Sequence, residues 1–381
     1  MAKRVAVLGA SGSIGRSTLD VLRSGKDRFE PVLFAAHRDS EKLLALKREF
    51  PAALAALVCD GTPCPPGIDF SGKQGLLDAI AEAHADITVN GISGAAGLLP
   101  SVAVIKAGSD LALANKETIV MAGPCIFALA REKNVRIIPV DSEHMAVFKL
   151  LEAHGAGNTR EIILTASGGP FREYTSEKLS RVTPEDALAH PTWNMGPKIT
   201  VDSATLANKG LEVIEAAAYF GFSPEKIRVV IHPQSIVHSM IRLESGAVYA
   251  QMSKPDMRLV IHDALSWPDT EFSPFGVLDF DSLDLSFRKP DSDRFPMLAL
   301  AYEALKGGPL LPAVYNAANE KAVEAFFGGK IGFLEIASLV GYVLRESESR
   351  GPVTIETVLE KDREARKLAE KFIAEKGNGS Y

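Results

Sequence analysis

Three glycines, each separated from the next by two residues, lie near the start of the chain in the segment Gly9 to Gly15 (GASGSIG). A short apolar run, Arg4 to Leu8, precedes them, and a helical pattern follows. In a strand–turn–helix unit, the first glycine permits the tight turn, the second admits a pyrophosphate, and the third lets helix and strand pack closely. The segment therefore predicts a dinucleotide site, although its spacing is wider than the commoner G-x-G-x-x-G.

The residues that follow the second predicted strand bear on which dinucleotide is bound. NAD-binding proteins usually place an acidic residue there, which binds the ribose 2′-hydroxyl. This chain has His37 and Arg38, whose basic side chains suit a 2′-phosphate. We therefore expect NADPH, while the neighbouring Asp39 leaves NAD open as the alternative.

Two carboxylates follow a later strand, in the segment Val140 to His144 (VDSEH). Ligands bind at the carboxyl ends of strands in open α/β sheets. If the chain stays extended there, Asp141 and Glu143 project to the same side and repel each other unless a cation or proton lies between them. Oxygen ligands favour Mg²⁺ or Mn²⁺ over zinc. A capped helix start enriched in acids explains the same pattern without a metal.

The segment Asp202 to Glu212 concentrates polar residues in an otherwise apolar helical pattern, predicted over Ala204 to Phe220. Glu212 is a candidate third carboxylate for the metal. It lies three residues after Lys209, on the same helical face, so a surface ion pair is the alternative. Serine, asparagine and lysine near a helix start would equally bind a phosphate.

Alternating strands and helices must position these residues. Their spacing predicts an α/β fold with a Rossmann-like doubly wound parallel sheet, followed by an α+β catalytic domain and a C-terminal helical bundle. The predicted divisions are an NADPH-binding domain over 1–140, a metal- and substrate-binding domain over 141–265, a connecting arm over 266–294 and a helical domain over 295–381.

The bulk composition limits the class of partner. The 381 residues are 46% hydrophobic and 24% charged, as in an ordinary globular protein. A net charge of -6 gives no general reason to bind nucleic acid or an anionic membrane. An odd count of three cysteines argues against a disulfide framework. With no room for a signal peptide before Gly9 and no apolar run that spans a bilayer, we expect a cytoplasmic protein.

Several uncommon segments together resemble the 1-deoxy-D-xylulose 5-phosphate reductoisomerase family, in the family's order and over most of the chain. The matching segments are GASGSIG at Gly9 to Gly15, ANKE at Ala114 to Glu117, PVDSEH at Pro139 to His144, TASGGPF at Thr165 to Phe171, HPTWNMGPKITVDSAT at His190 to Thr205, NKGLE at Asn208 to Glu212 and HPQSIVHS at His232 to Ser239.

The resemblance implies a reaction and its requirements. An NADPH-dependent enzyme would rearrange 1-deoxy-D-xylulose 5-phosphate, a small phosphorylated sugar, and reduce the aldehyde intermediate to 2-C-methyl-D-erythritol 4-phosphate. This step belongs to the non-mevalonate route to isoprenoids. Members of the family use Mg²⁺, Mn²⁺ or Co²⁺ and are homodimers.

The resemblance also implies site residues, here grouped by role. The implied metal ligands are Asp141, Glu143 and Glu212, which are also implied to be catalytic, and Glu143 and Glu212 are implied to touch the substrate as well. The implied substrate-binding residues are Lys116, Ser142, Ser167, His190, Trp193, Ser203, Asn208 and Lys209, with Lys116 and His190 counted among the catalytic residues. The implied cofactor contacts are Ser11, Gly12, Ser13, Ile14, Asn115, Glu117 and Gly196. The segment containing Trp193, Met195 and Gly196 is implied to close over the substrate.

Three departures from the family pattern concern Ala10 and Ser11 in the turn, His37 and Arg38 after the second strand, and Met145. Two other functions compete with the implied one. A different NADP-dependent dehydrogenase acting without rearrangement would not need the acidic triad. A nucleotide-sensing protein would bind NADPH without oxidising it.

Overall fold

The computed structural model describes residues 2–58, 65–189, 192–193, 195–281 and 283–377. Within these ranges the strands are β1 (Lys3–Leu8), β2 (Phe29–Ala36), β3 (Leu54–Leu57), β4 (Phe70–Ser71), β5 (Ile87–Asn90), β6 (Asp110–Leu113), β7 (Ile137–Pro139), β8 (Thr159–Ala166), β9 (Ile227–Ile231), β10 (Val237–Leu243) and β11 (Val248–Met252). The α-helices are α1 (Ser13–Ser24), α2 (Ser40–Glu49), α3 (Gly72–Ala83), α4 (Leu98–Lys106), α5 (Lys116–Lys133), α6 (Ser142–His154), α7 (Ser176–Leu179), α8 (Pro184–Ala187), α9 (Pro197–Thr205), α10 (Ala207–Phe220), α11 (Met257–Ser266), α12 (Met297–Gly307), α13 (Leu311–Phe327), α14 (Phe333–Glu346) and α15 (Ile355–Gly377).

The described residues pack into two compact units. Unit 1 is drawn from Met1–Thr118, Ile126–Met145 and Asp256–Val277. Unit 2 is drawn from Ile119–Cys125, Ala146–Pro255 and Leu278–Tyr381. Helices α5 and α6 therefore contribute residues to both units. The division of the chain into four domains stays a prediction.

Unit 1 is built on a seven-stranded sheet with the order β4-β3-β2-β1-β5-β6-β7. Every neighbouring pair is parallel. The chain first runs outward from β1 to β4 and then returns to β5 on the other side of β1. This reversal creates a crevice at the carboxyl ends of β1 and β5, where ligands bind in such sheets. The predicted Rossmann-like fold is confirmed.

The strands of unit 1 are apolar because both faces of a parallel sheet are covered by crossover helices. Val5, Val7, Leu33 and Val89 are all buried. Helix α11, which the sequence pattern did not predict, belongs to the same unit. The sheet is therefore a rigid base for the turns that leave its carboxyl edge.

Unit 2 contains a four-stranded mixed sheet with the order β11-β10-β8-β9. Strand β8 is parallel to β9, whereas β10 is antiparallel to both β8 and β11. Ile162 and Leu164 of β8 enter a core shared with Leu211 of α10. This mixture of sheet and helix is the predicted α+β arrangement, and its strand β8 leads directly into the Ser167 loop.

The single helix predicted over Ala204 to Phe220 is wrong, because α9 and α10 are separated at Leu206. This residue has a φ of +63°, in the left-handed region that costs a non-glycine residue about 1 kcal/mol. Burial of its side chain offsets that cost. The Thr205 hydroxyl accepts from the Ala207 amide at 3.2 Å, so the break leaves that group bonded.

The last four helices, α12 to α15, form the predicted C-terminal bundle within unit 2. Ile336, Leu339 and Ala365 lie in its core. Between α11 and α12, the described residues form no regular helix or strand apart from a bridge between Arg288 and Ile231. Across the described ranges, no helix combines the length and the apolar character needed to cross a membrane.

Candidate functional site

The glycine segment forms a tight turn between β1 and α1. Gly9 has a φ of +81°, and a Cβ there would lie 2.8 Å from the backbone oxygen of Gly91. A Cβ at Gly15 would lie 2.5 Å from backbone atoms of Ala10. No side chain in the described part of the chain caps α1 at Gly12. The first-turn amide groups are therefore not used by a cap, and such groups bind phosphate in dinucleotide sites.

The end of β2 exposes the two basic residues considered for the 2′-phosphate. His37 and Arg38 are exposed, directly after the buried Ala36. Asp39, the residue that left NAD open, caps α2 by accepting from the Lys42 amide at 3.0 Å. An aspartate committed to a helix cap is less available to a ribose hydroxyl. The local geometry therefore favours NADPH.

Asn115 lies at the start of α5, and both the nitrogen and the oxygen of its side chain form hydrogen bonds within the protein. Its amide group donates to the carbonyls of Ile92 at 2.7 Å and Gly94 at 2.9 Å, and to the Glu117 carboxylate at 2.8 Å. Its oxygen accepts from the Thr118 amide at 2.9 Å. These bonds fix the turn after β5 against α5, and the cofactor contacts of Asn115 and Glu117 stay predictions.

Lys116 and Asp141 form an ion pair in unit 1. The Lys116 ammonium donates to Asp141 Oδ2, and the lysine is only 8% exposed. Asp141 Oδ1 accepts from Nδ1 of the fully buried His144 at 2.9 Å. Burial opposes ionisation of Asp141, but the charges and hydrogen bonds of Lys116 and His144 hold its pKa well below its usual range. Asp141 is therefore an anion at neutral pH.

The chain at Asp141 and Glu143 is not extended, because α6 begins at Ser142, and the alternative of a capped helix start is the local structure observed. Asp141 is its cap, accepting from the amides of Glu143 and His144, each at 3.0 Å. The two carboxylates nevertheless converge, with an oxygen of each within 4.8 Å of the other. Ser142 donates its hydroxyl to Glu143. The helical turn, and not strand alternation, therefore brings the two acids together.

In unit 2, the start of α10 carries a polar cluster of the buried Lys209 and Glu212 and the half-buried Asn208. Lys209 is 3% exposed and Glu212 is 1% exposed. The Lys209 ammonium donates to Glu212 Oε2, and Asn208 Nδ2 donates to Glu212 Oε1 at 2.6 Å. The alternative of a surface ion pair is wrong, because both partners are buried. The remaining oxygen of Asn208 is buried without a hydrogen bond to any of the described residues.

The loop after β8 packs against α9. The loop carries Ser167 and the helix carries Ser203, two of the residues predicted to bind phosphate. Gly168 and Gly169 both have positive φ, and a Cβ at Gly169 would lie 2.7 Å from the Ser203 carbonyl. Ser167 Oγ accepts from the Gly169 amide at 3.2 Å. Only glycine permits this close approach, so the sequence Ser-Gly-Gly places Ser167 near the helix that carries Ser203.

The segment implied to close over the substrate is partly described. His190 lies outside the described residues. The ring of Trp193 lies 6.2 Å from the ring of His238, whose Nε2 lies 2.9 Å from Ser253 Oγ. Gly196 is the N-terminal cap of α9, and a Cβ there would meet no atom of the described residues within 4 Å. The segment therefore leads directly into the helix of Ser203.

Two residues that hold others in place were not predicted from the sequence, His144 and Asp202. His144 fixes Asp141, and its only signal was its position within the VDSEH segment. Asp202, 1% exposed, accepts from Lys198 at 2.8 Å and from Asn319 at 2.8 Å. Asn319 lies on α13, more than a hundred residues away, so no local pattern indicates that pair.

Comparison with known protein families gives matches along most of the chain. The family model described as 1-deoxy-D-xylulose 5-phosphate reductoisomerase matches residues 5–63 and 66–123. The model of that family's C-terminal domain matches residues 137–220. A model described as the DXP reductoisomerase C-terminal domain matches residues 252–368.

Individual proteins match over nearly their whole lengths. The 1-deoxy-D-xylulose 5-phosphate reductoisomerase of Pelodictyon phaeoclathratiforme is 48% identical, with 98% of this chain and 100% of the relative aligned. That of Treponema denticola is 48% identical, with 99% of each chain aligned.

Two solved structures match with equal TM-scores. The Zymomonas mobilis reductoisomerase in complex with NADPH has a TM-score of 0.90 at 40% identity, covering 98% of this chain and 99% of that one. A DOX-P reductoisomerase in complex with NADPH, fosmidomycin and magnesium has a TM-score of 0.90 at 34% identity, covering 98% of each chain.

Proposed function

The chain belongs to the 1-deoxy-D-xylulose 5-phosphate reductoisomerase family, and from this premise we propose that it catalyses the family's reaction. It rearranges 1-deoxy-D-xylulose 5-phosphate and reduces the product with NADPH to 2-C-methyl-D-erythritol 4-phosphate, a precursor of isoprenoids. The observation that carries this proposal is 48% identity over 98% of the chain with a protein of that name. An alignment over 98% of the chain extends across both the cofactor turn and the acidic residues.

We propose that a divalent cation, Mg²⁺, Mn²⁺ or Co²⁺, is held by Asp141, Glu143 and Glu212. The donor set fits, because all three offer carboxylate oxygens, which hard divalent cations prefer. The low pKa of Asp141 supports an ionised ligand at neutral pH. Lys116 and Lys209 neutralise Asp141 and Glu212 and keep these buried groups in place. When bound, the cation would supply Lewis acidity for the rearrangement, and NADPH would supply the hydride for the reduction.

We propose that the substrate phosphate is bound by Ser167, Ser203, Asn208 and Lys209. The buried Lys209 supplies a positive charge, and the glycine-rich loop packs Gly169, two residues after Ser167, against the helix of Ser203. The side-chain oxygen of Asn208, which accepts no hydrogen bond from the described residues, would accept one from a hydroxyl of the substrate or from water. Binding energy from this remote group would help to order the closing segment over the reacting carbons.

The oxygenated end of the substrate is proposed to meet Lys116, Ser142 and Glu143, with His190 and Trp193 covering it. Lys116 adds a fixed positive charge beside the oxygens on which negative charge develops. Ser142 and Glu143 are already hydrogen-bonded to each other at the start of α6. These groups would orient the substrate and exclude water, and the aromatic Trp193 lies beside His238.

For the cofactor, we propose contacts from the turn residues Ser11, Gly12, Ser13 and Ile14, from His37 and Arg38, and from Asn115, Glu117 and Gly196. The uncapped start of α1 supports pyrophosphate binding. The NADPH-binding domain is proposed to span 1–140 and the metal- and substrate-binding domain 141–265. A homodimeric state and a cytoplasmic location are further proposals that follow from family membership.

The proposed function is tested by following NADPH absorbance after addition of 1-deoxy-D-xylulose 5-phosphate, with Mn²⁺ and then with EDTA. We expect oxidation of NADPH that needs both the sugar phosphate and the cation. Oxidation that persists unchanged in EDTA would favour a dehydrogenase acting without rearrangement. Binding of NADPH with no oxidation under any condition would favour a nucleotide-sensing protein.

A further inference from the structure

Two basic side chains from different helices converge on the phosphate turn of unit 1. Arg16 of α1 donates from Nη1 to the Ser11 carbonyl at 3.1 Å. Lys42 of α2 donates from Nζ to the same carbonyl at 3.3 Å. Two cations thus share one neutral acceptor, and neither residue was indicated by the glycine motif or by the end of β2.

None of the described carboxylates forms an ion pair with Arg16 or Lys42, so both positive charges are without an acidic partner among the described residues. Partial burial lowers the pKa of Lys42, and the charge of Arg16 lowers it further. Asp39 opposes this effect only at a distance, since its carboxylate caps α2 at the Lys42 amide. A cluster of like charges in this state is stabilised by an anion placed between them.

The position of the cluster indicates which anion. The amides of Gly9 and Ala10 donate to the Ala35 carbonyl at 3.0 Å and 2.8 Å, so the turn lies against the end of β2. In Rossmann-like folds the pyrophosphate lies at the start of the first helix, and the adenosine ribose lies at the end of the second strand. Lys42 reaches the turn from the helix that follows that strand. Its ammonium is therefore placed beside the ribose and not beside the nicotinamide.

We propose that Lys42 and Arg16 form the main binding site for the 2′-phosphate and thereby select NADPH over NADH; this rests on the proposed function. The phosphate monoester would accept from both side chains in place of the Ser11 carbonyl. Hydrogen bonds between a charged donor and a charged acceptor are stronger than those between neutral groups. The negative phosphate would also balance the two positive side chains. Arg38, exposed at the end of β2, would add to the site from the solvent side.

The test measures binding without substrate or metal, using the whole chain. Dissociation constants for NADPH and NADH come from cofactor fluorescence, and those for 2′,5′-ADP and 5′-ADP come from calorimetry. Lys42→Gln and Arg16→Gln are expected to weaken NADPH and 2′,5′-ADP about tenfold or more each. Binding of NADH and 5′-ADP should change less than about twofold. Lys42→Arg should retain most of the preference.

Arg48→Gln is the matched control, because Arg48 is exposed on the same helix as Lys42 and the substitution also removes one positive charge. It should leave all four affinities unchanged, and thermal unfolding should show that every variant is folded. Equal weakening of NADPH and NADH, or no weakening of either, would overturn the assignment. If the unaltered chain binds no NADPH, the proposed function fails as well. If the unaltered chain binds NADPH but the variants behave like it, only the assignment of Lys42 and Arg16 fails.

Discussion

Lys116 and Asp141 form an ion pair in which the side chains are only 9% and 15% exposed. Asp141 also accepts three bonds on its other oxygen, from the amides of Glu143 and His144 and from the His144 ring. A carboxylate bonded on both oxygens has one orientation. The pair therefore fixes the group that we propose as a metal ligand before any ligand arrives.

Lys116→Gln should damage both stability and turnover. Removing the ammonium leaves a buried carboxylate without its charge partner, which typically costs about 3–5 kcal/mol. Loss of a positive charge beside developing negative charge should lower kcat by about 100-fold or more. Urea unfolding and steady-state NADPH oxidation measure the two effects.

Lys133→Gln is the matched control, since Lys133 lies on the same helix and pairs with Glu132 at the surface. Exposed pairs contribute about 0–1 kcal/mol, so this variant should behave as the unaltered chain. If the two variants lost equal stability, the Lys116–Asp141 pair would not have the role assigned to it.

Glu212→Gln should weaken the response to the cation while the fold survives. Glutamine keeps the size of the side chain and one acceptor oxygen, but it removes the negative charge that a divalent cation requires. We expect Mn²⁺ affinity to fall at least about tenfold and kcat about 100-fold or more. Titration calorimetry with Mn²⁺ and NADPH oxidation give these values.

Glu303→Gln, an exposed change on α12 in the same unit, is the control and should alter neither value. Far-ultraviolet circular dichroism checks the fold of both variants. Full activity together with unchanged Mn²⁺ affinity in Glu212→Gln would remove Glu212 from the proposed metal site.

His232 should make the free energy of unfolding depend on pH near neutrality. Its Nδ1 donates to the Ser286 carbonyl at 2.9 Å, and its Nε2 accepts from the amides of Ile236 and Val237 at 3.2 Å and 3.1 Å. Protonation of Nε2 would break the last two bonds. Burial lowers the pKa of His232 below its ordinary value of 6.5, despite the opposing bond to Ser286.

Because the folded pKa is lower than the unfolded one, the unfolded chain binds the proton first. The contribution of His232 is full above pH 6.5 and is lost as the pH falls towards the folded pKa. One proton allows a slope of at most about 1.4 kcal/mol per pH unit. Chemical unfolding from pH 8 to pH 5 should show a shallower decline for His232→Gln, and identical slopes would refute the assignment.

Much of the fold follows from local patterns. Strand β1 and the glycines after it are adjacent in sequence, so their spacing determines the turn directly. The alternation of apolar strands with helices likewise predicts a parallel sheet, because each crossover needs a helix between strands. The order of the strands and the membership of α11 in unit 1 depend on contacts between distant segments, which periodicity does not report.

The site shows the same division. The acids Asp141 and Glu143 were identifiable by type and position, but the sequence left open whether the chain there is extended or a capped helix start, and capping at Asp141 starts a helix. The break at Leu206 was missed because an apolar helical pattern continues through it, and only burial makes the left-handed conformation tolerable. Lys42 was missed because its distance from Ser11 is set by the packing of two helices on one sheet.

The proposed reaction requires one chain both to rearrange a carbon skeleton and to reduce it. The most direct measurement supplies 1-deoxy-D-xylulose 5-phosphate, Mn²⁺ and NADPH deuterated at the nicotinamide C4 position, and identifies the product by NMR. We expect branched 2-C-methyl-D-erythritol 4-phosphate, with deuterium on the carbon of the reduced aldehyde when the transferred hydrogen carries the label. A straight-chain reduced sugar phosphate carrying the label, or oxidation of NADPH without a branched product, would contradict it.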